Sequence, residues 1–393
     1  MTGRIAGILL AGLALPAWAD WQFAEPIDIA PAKIGVFHHL DASGRRALAV
    51  SADQVALTWE DNRSGTSRCY VAIGRPPALR EFRFGQTGCY EPGIAALANS
   101  RFALIWSETQ GVHVALVNRH GVKPATRIAA LGGQGVLAYR PRQGLIAAWT
   151  QSEGRWQRLY AMRLAIHGSQ VAAATAKPID QAPLQDDQIY PALTAGTTGL
   201  SIAWEDRRKG HTTIYASWSR DGISWAPPMQ INQGSQAQSN IGRGTGAMRP
   251  ALAAFGHERI AAVWLDKRDF LAGYDVYAAL SENDGVHFGA NIKAQDSFGD
   301  AIAQWHAAAA GDARGDVVIA WDDDRDGNAD IWLTWLAPQG FVENSSPPPA
   351  HSPASQTDPV VALSPTGDLH LAWIERGQDD SSRIRYLFGQ RRP

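Results

Sequence analysis

Four aspartate–arginine pairs follow a tryptophan at the same short spacing, and charged pairs of this kind can either take part in catalysis or stabilise a fold. The pattern W-x-D-x-R is formed by Trp59, Asp61 and Arg63, by Trp204, Asp206 and Arg208, by Trp264, Asp266 and Arg268, and by Trp321, Asp323 and Arg325. Residues two apart on an extended strand point to the same side. Because four copies of one catalytic group are implausible, we predict a structural clasp. In it the carboxylate binds the guanidinium, and the guanidinium stacks on the indole, against the next repeat.

A second set of side chains could bind a ligand or act on it. These side chains begin the first apolar segment of their repeats, and they are His39, Glu91, Tyr190, Arg249, Trp305, His306 and Asp358. Aromatic rings that stack and charges that orient suit a sugar or another polar ligand. We therefore predict ligand binding by His39, Tyr190, Arg249, Trp305 and His306. Glu91 and Asp358 are candidates for the carboxyl pair that glycoside hydrolysis requires.

One segment has the spacing of a calcium-binding loop. In "DDDRDGNAD" the ligands would be Asp322, Asp324, Asp326 and Asp330. The same stretch also aligns with the W-x-D-x-R repeat, whose copy at Trp204 carries Glu205, Arg207 and Lys209 at the acidic positions. We therefore expect no cofactor, with calcium as the alternative.

The spacing of the tryptophans indicates the architecture that positions these side chains. Seven short apolar segments end in Trp59, Trp106, Trp149, Trp204, Trp264, Trp321 and Trp373, at intervals of 43 to 60 residues. A repeat of this length, rich in short strands and turn residues, is typical of a propeller blade. We predict an all-β fold, a seven-bladed β-propeller of four-stranded blades forming one domain over residues 20–393.

The two ends of the chain predict how the ring closes. After Trp373 there is room for only one more strand, "RIRYLF", so the last blade lacks its outer strand. The segment "FAEPIDI" from Phe23 resembles the outer strand "WAPPMQI" from Trp225 and can supply it. Closure of this kind removes an exposed sheet edge. Long loops, which are often functional, lead into blades five, six and seven at residues 232–248, 295–306 and 344–358.

Two short segments resemble the BNR, or Asp-box, repeats of sialidase-like propellers, whose pattern is S-x-D-x-G-x-x-W. "SRDGISW" from Ser219 is one residue short of it, and "SENDGVHF" from Ser281 has its length. The resemblance implies a sialidase-like superfamily fold in which the box joins the third and fourth strands away from the active face. True sialidases resemble a six-bladed ring with an arginine triad. The nearest match to their first arginine motif, "FRFG" from Phe82, lies in another strand and lacks the proline.

The N-terminus and the cysteines predict an exported protein. Residues 1–19 combine Arg4, an apolar run and the cleavage pattern Ala17-Trp18-Ala19, as in a signal peptide. The two cysteines, Cys69 and Cys89, fall in adjacent blades and are expected to form a disulfide in an oxidising compartment. We predict a periplasmic or secreted protein.

Composition narrows the choice of partners. The formal net charge is −2, which disfavours nucleic acid and anionic lipid, and no second long apolar run predicts membrane insertion. We predict a monomer that binds a glycan or an envelope protein at the loop-rich mouth of the ring, and we favour binding over catalysis. The alternatives are an exo-acting glycoside hydrolase or a lyase at the same face, and a structural scaffold of an envelope complex.

Overall fold

Seven antiparallel sheets form the blades of a ring, as the tryptophan spacing predicts. The computed structural model describes residues 21–40, 44–86, 88–183, 185–233, 246–268, 273–296, 302–342 and 344–392. The predicted signal peptide lies outside the described residues. No helix among the residues that the structure describes is long and apolar enough to cross a bilayer.

In the first three blades the strands follow one another from the innermost outward. Blade one contains His38–His39 with Leu48–Ser51, then Gln54–Asp61, Arg68–Arg75 and Ala78–Phe84; blade two contains Tyr90–Ala96, Phe102–Glu108, Gly111–Asn118, and Gly121–Val122 with Thr126–Ala129; blade three contains Gly133–Arg140, Gly144–Glu153, Trp156–His167, and Gln170–Ala173 with Lys177–Pro178. The innermost strand of blade one is in two pieces, His38–His39 and Leu48–Ser51.

The remaining blades repeat this order. Blade four contains Gln188–Ala195, Leu200–Asp206, Thr213–Ser219 and Met229–Gln230; blade five contains Ala247–Phe255, Arg259–Asp266, Asp275–Ser281 and Asn291–Lys293; blade six contains Trp305–Gly311, Val317–Asp323, Asp330–Ala337 and Gly340–Phe341; blade seven contains Ser355–Leu363, Leu369–Arg376 and Ser381–Arg391, completed by Trp21–Phe23 and Ile27–Ile34. A 3-10 helix, Pro348–Ala350, lies in the connection between blades six and seven.

The N-terminal strands close the ring, which confirms the prediction from the chain ends. Trp21 pairs with Arg391, and Ile27 pairs with Tyr386 in the third strand of blade seven. The Trp21 side chain is buried, and its indole nitrogen donates a hydrogen bond to the Gly367 carbonyl. The first strand of the chain therefore belongs to the last blade.

Removing this closure is expected to destabilise the whole ring. A chain truncated through Ile29 loses the buried Trp21 and exposes the edge of Ser381–Arg391 as a template for aggregation. Light scattering and thermal unfolding should show an aggregating or unfolded protein, whereas a control chain that begins at Trp21 should behave normally. A truncated protein that stays monomeric with an unchanged melting temperature would contradict this role.

The predicted disulfide is confirmed. Cys69 lies in the third strand of blade one and Cys89 immediately before the first strand of blade two, with a Cα–Cα distance of 5.6 Å. The bond therefore joins adjacent blades. Closing a 20-residue separation in this way is worth roughly 3 kcal/mol in the chain-entropy account.

The seven tryptophans are fully buried between blades. Trp204 packs with Val136 and Ala138 of blade three, and Trp264 packs with Leu252 and residues of blade four. They therefore face the preceding blade, and the predicted contact with the next blade is wrong in direction. The reason is the strand's handedness and twist within the ring, which alternation of side chains alone does not specify.

In the four blades that carry the motif, the charged clasp forms within the blade. The Trp204 indole donates to Asp206 Oδ2 at 3.0 Å, and Arg208 Nε donates to Asp206 Oδ1 at 2.7 Å. The guanidinium lies over Tyr215, 4.4 Å from the ring centroid, because Tyr215 is the cross-strand partner of Trp204. The other three motifs place their arginines over Tyr70, Tyr277 and Trp332 in the same way. The main stacking partner is thus an aromatic residue of the third strand, where we predicted the indole of the motif.

The two segments that resemble Asp boxes both join a third strand to an outer strand. The Asp221 carboxylate accepts hydrogen bonds from the amides of Ile223 and Ser224, each at 2.8 Å. Asn283 accepts one from the His287 amide at 2.9 Å. These side chains stabilise tight turns on the face opposite the mouth.

Candidate functional site

Six of the innermost strands carry a β-bulge close to their first residue. In each, the pairing with the second strand shifts register around one residue whose φ lies between 49° and 56°. These residues are Glu91, Gln134, Tyr190, Arg249, His306 and Asp358. Non-glycine residues are uncommon in this left-handed region and tend to occur at functional sites. The repeated strain occurs at one end of the channel and defines its mouth.

The bulge backbone is held by side chains from the preceding blade. Glu60 accepts a hydrogen bond from the Glu91 amide at 2.7 Å, and Glu205 accepts one from the Arg249 amide at 2.8 Å. Asp322 does the same for the Asp358 amide at 3.0 Å. A β-bulge leaves one backbone amide without its partner in the neighbouring strand. In each of these blades a carboxylate accepts a hydrogen bond from that amide and so compensates the lost pairing.

Two further amides are held by neighbouring bulge residues themselves. Glu91 accepts from the Gln134 amide at 2.7 Å, and Gln134 accepts from the Tyr190 amide at 2.8 Å. The bulge of blade two therefore positions that of blade three, which in turn positions that of blade four. A substitution at one bulge residue acts on the backbone of its neighbour as well.

His306 lies between two aspartates at the mouth. Its Nδ1 is 2.8 Å from Asp322 Oδ1, and its Nε2 is 3.5 Å from Asp358 Oδ1. Burial alone would lower the pKa of His306, but the hydrogen bond to Asp322 and the two negative charges raise it to about 9. The imidazole is therefore a cation at neutral pH. Burial raises the pKa of Asp322, more than the His306 contact lowers it.

Arg249 and Tyr190 form a second group on the same rim. The guanidinium carbon of Arg249 lies 3.3 Å from the centroid of the Tyr190 ring, and Arg249 Nε lies 3.8 Å from Glu205 Oε1. Burial raises the pKa of Glu205. The charge of Arg249 also opposes protonation of His306, so the two cations are close enough to interact.

Blades one and two contribute a third group. The buried Arg45 lies with its Nη1 3.3 Å from Glu91 Oε1, and the half-exposed His39 has its Nδ1 3.3 Å from Glu60 Oε1. The preceding His38 is buried, and its ring is hydrogen-bonded to Ser382 of blade seven. Burial lowers the pKa of His38 to about 4, so it is a neutral contact between blades one and seven.

All seven predicted site residues lie at the mouth. Trp305 is half exposed beside His306, with its ring 5.4 Å from that of Tyr274. Side-chain contacts bring together His306 with Asp358, and Arg249 with Tyr190, whereas Glu91 contacts Arg45 and His39 contacts Glu60. The prediction missed several residues of the mouth, namely Arg45, Glu60, Gln134, Glu205 and Arg376.

The sequence contains a pattern that could have indicated the missed carboxylates. Glu60, Glu205 and Asp322 are the middle residues of the W-x-D pattern. Alternation along a strand turns a middle residue away from the clasp face, so an acidic residue there must find another partner. A second signal is that four of the six bulge residues, Glu91, Tyr190, Arg249 and Asp358, precede a proline.

The aspartates of the predicted calcium loop point to different places. Asp322 bonds the His306 imidazole and the Asp358 amide at the mouth. Asp326 and Asp330 instead group with His351, each with a possible ligand atom within 4.8 Å of the others. His351 Nδ1 already lies 3.2 Å from the buried Asp330 carboxylate. The loop spacing therefore does not by itself bring Asp322 to the same point as Asp326 and Asp330.

The three long entry loops are described to different extents. Residues 234–245 and 297–301 lie outside the described residues. The third loop packs against blade six, where the backbone of Ser345 bonds that of Leu333 in both directions. Ala350 of its 3-10 helix is fully buried.

Comparison with known proteins identifies similar folds. No protein-family model matches the sequence, and no curated protein matches it. The chain is similar in structure to the polysaccharide lyase Uly1, with a TM-score of 0.61, 9% sequence identity, and coverage of 89% of this chain and 90% of that one. It is also similar to a protein of unknown function from Dyadobacter fermentans, with a TM-score of 0.52, 10% identity and coverage of 95% and 100%.

Identities this low indicate a shared fold and leave the chemistry to be argued from the residues. They do not test the sialidase-like assignment, which stays a prediction.

Proposed function

We propose that this protein binds an acidic polysaccharide at the mouth of the ring and cleaves it by elimination. The observation that carries the proposal is that the cations at the mouth are more exposed than the carboxylates that contact them. The side chains of Arg249, His306 and Arg376 are 28%, 41% and 39% exposed, whereas those of Glu205, Asp322 and Asp358 are 5%, 4% and 11% exposed. The cations face the ligand and the carboxylates support them from below, which suits a negatively charged substrate.

Aromatic side chains at the same end support a sugar as the ligand. Among the described residues, the aromatic side chains with large exposed surfaces are Phe37, Tyr90 and Trp305. All three start or immediately precede an innermost strand. Exposed rings beside hydrogen-bonding groups are what pyranose faces pack against.

Elimination from a uronate needs three functions. A cation must stabilise the carboxylate so that the adjacent carbon can lose its proton, and Arg249 and His306 supply that charge. A base takes this proton, and the electron pair of the broken C–H bond forms the new C=C bond. The glycosidic C–O bond breaks, and its oxygen leaves with a proton from an acid. Tyr190 is our candidate for the proton-transfer group, since its ring lies against Arg249.

The similarity to Uly1, described as a polysaccharide lyase, supports this reaction class by analogy of fold. Hydrolysis by Glu91 and Asp358 is less well supported. Glu91 contacts Arg45, and Asp358 contacts His306 and Arg376, so both carboxylates already serve cations.

Incubation with a panel of uronate-containing and neutral polysaccharides tests the proposal. Elimination should produce chain ends with near-ultraviolet absorbance from the new C=C bond, from uronate polymers alone. New reducing ends without that absorbance would replace elimination with hydrolysis. Tight binding without new ends on any uronate polymer would mean a non-catalytic binding protein.

We further propose export to the periplasm or the medium, where the protein acts as a monomer without a cofactor. The Cys69–Cys89 bond supports export, because structural disulfides persist in oxidising compartments. N-terminal sequencing should find Asp20 as the first residue of the mature protein. A cytoplasmic protein with an intact leader would overturn this part of the proposal.

A further inference from the structure

The central channel contains a cation, Arg46, that faces a cavity. The cavity measures about 250 Å³ and is lined by the innermost strands of all seven blades. Alanines and larger aliphatic residues form most of its wall, with Arg46 and Thr194 as polar exceptions, and no carboxylate is among these lining residues. No charged group among these lining residues therefore compensates the guanidinium.

The hydrogen bonds of Arg46 satisfy only part of its guanidinium. Nη2 donates to Thr194 Oγ1 at 2.8 Å and to the Leu252 carbonyl at 3.0 Å. Neither Nε nor Nη1 has a partner among the described residues. Arg46 keeps free surface because it faces the cavity, although protein encloses it. Burial lowers the pKa of Arg46, and no neighbouring carboxylate offsets that effect.

Arg46 reaches this position because the chain of blade one crosses the channel. A Cβ on Gly44 would lie 2.8 Å from the carbonyl oxygens of Pro191 and Pro250, in blades four and five on the opposite side of the ring. The φ of Gly44 is 73°, which also favours glycine. The segment Gly44–Ala47 therefore separates the mouth from the cavity, and Arg46 forms the cavity's upper wall.

We propose that the cavity is an anion site, in which Arg46 binds one small monovalent anion through its free N–H groups. Chloride and a short carboxylate share the required chemistry, a single negative charge that accepts hydrogen bonds. The anion would compensate the charge of Arg46 and brace the segment that also carries Arg45. Because Arg45 contacts Glu91 at the mouth, the bound anion would stabilise the site above it.

A basic groove adjoins the cavity at the end opposite the mouth. Tyr139 lines the cavity and also lines a neighbouring groove of about 710 Å³. That groove contains Arg101, Arg142 and Arg163 among its lining residues. A basic surface so close to the cavity raises the local concentration of anions.

Bromide and acetate titrations test the site. The wild-type melting temperature should rise by roughly 5 °C when the anion reaches about a hundred times its dissociation constant. Ionic strength is held constant with a bulky disulfonate buffer, which the cavity cannot accommodate. R46Q should lose this rise, whereas the control R119Q, at an exposed turn of blade two, should keep it. A response to either anion supports the site and distinguishes halide from carboxylate.

Anomalous diffraction from wild-type crystals grown with bromide provides a measurement that does not depend on the variant folding. A bromide peak beside the Arg46 guanidinium is expected. A channel without bromide, together with melting temperatures that depend on ionic strength alone or an equal response in R46Q, would overturn the proposal.

Discussion

Replacing His306 with glutamine is expected to weaken binding of a uronate oligosaccharide at pH 7 on the order of ten- to a hundredfold, the worth of one charge-assisted hydrogen bond. Asp322 and Asp358 raise the pKa of His306 to about 9, so the wild-type side chain carries a full positive charge at that pH. Glutamine keeps a hydrogen-bond donor at the site but removes the charge. Turnover should fall further, because the cation also stabilises the charge that develops during proton removal.

The pH dependence gives this prediction a distinctive signature. The pKa of His306 in the folded protein is raised from the ordinary value of 6.5 to about 9, so its charge is retained at neutral pH and is lost as pH rises through about 9. Wild-type affinity for the uronate should therefore fall as pH rises through about 9. In H306Q this step should be absent, while any titration of other groups remains.

A matched control separates charge at the mouth from a general effect of losing a histidine. His257 is exposed at the turn that follows the innermost strand of blade five, on the opposite face of the ring. H257Q should bind and turn over substrate like the wild type, measured by calorimetry and by the absorbance of the unsaturated product. Equal affinities of H306Q and wild type across the pH range would contradict a cationic role for His306.

The architecture was predictable because it depends on a repeated local pattern. Each second strand buries one large side chain between blades. In all seven blades that side chain is a tryptophan, so the blades can be counted from tryptophans spaced 43 to 60 residues apart. The closure by the N-terminal segment from Phe23 and the Cys69–Cys89 bond followed from matching chain segments to strand positions. Each of these inferences needed only the order of strands, which the sequence carries directly.

The sequence allowed the residues at the mouth to be predicted, but not the contacts that hold them there. The first residues of the innermost strands could be listed from the sequence, yet the left-handed conformation of Tyr190 and Arg249 depends on register shifts against the second strand. The support of Arg249 by Glu205 joins residues 44 apart in different blades. Likewise, Arg46 faces the channel because its segment crosses to blades four and five. Contacts of this kind depend on ring geometry, which no local pattern encodes.

The Asp206→Asn variant tests the interpretation of the repeated charged pair. Asp206 is 1% exposed and accepts hydrogen bonds from the Trp204 indole, the Arg208 backbone and the Arg208 guanidinium. Burial would lower the pKa of Arg208, but the bonds and charges of Asp206 and Asp180 raise it, so the guanidinium stays charged. Asparagine keeps the shape of the side chain but removes its charge and one acceptor oxygen.

The expected cost is about 3 kcal/mol in the free energy of unfolding, because a largely buried guanidinium loses its main counter-charge. Asp180, with Oδ2 2.7 Å from Arg208 Nη2, limits the loss. Denaturant unfolding measures it, and the exposed Asp324 provides a matched control, since D324N removes an aspartate of a blade without removing a clasp. Uronate binding by D206N, measured where the variant is folded, should equal that of the wild type because the clasp contacts Trp204 and Asp180 and none of the ligand-binding residues proposed at the mouth. Unchanged stability with abolished binding would instead identify the W-x-D-x-R residues as the ligand site.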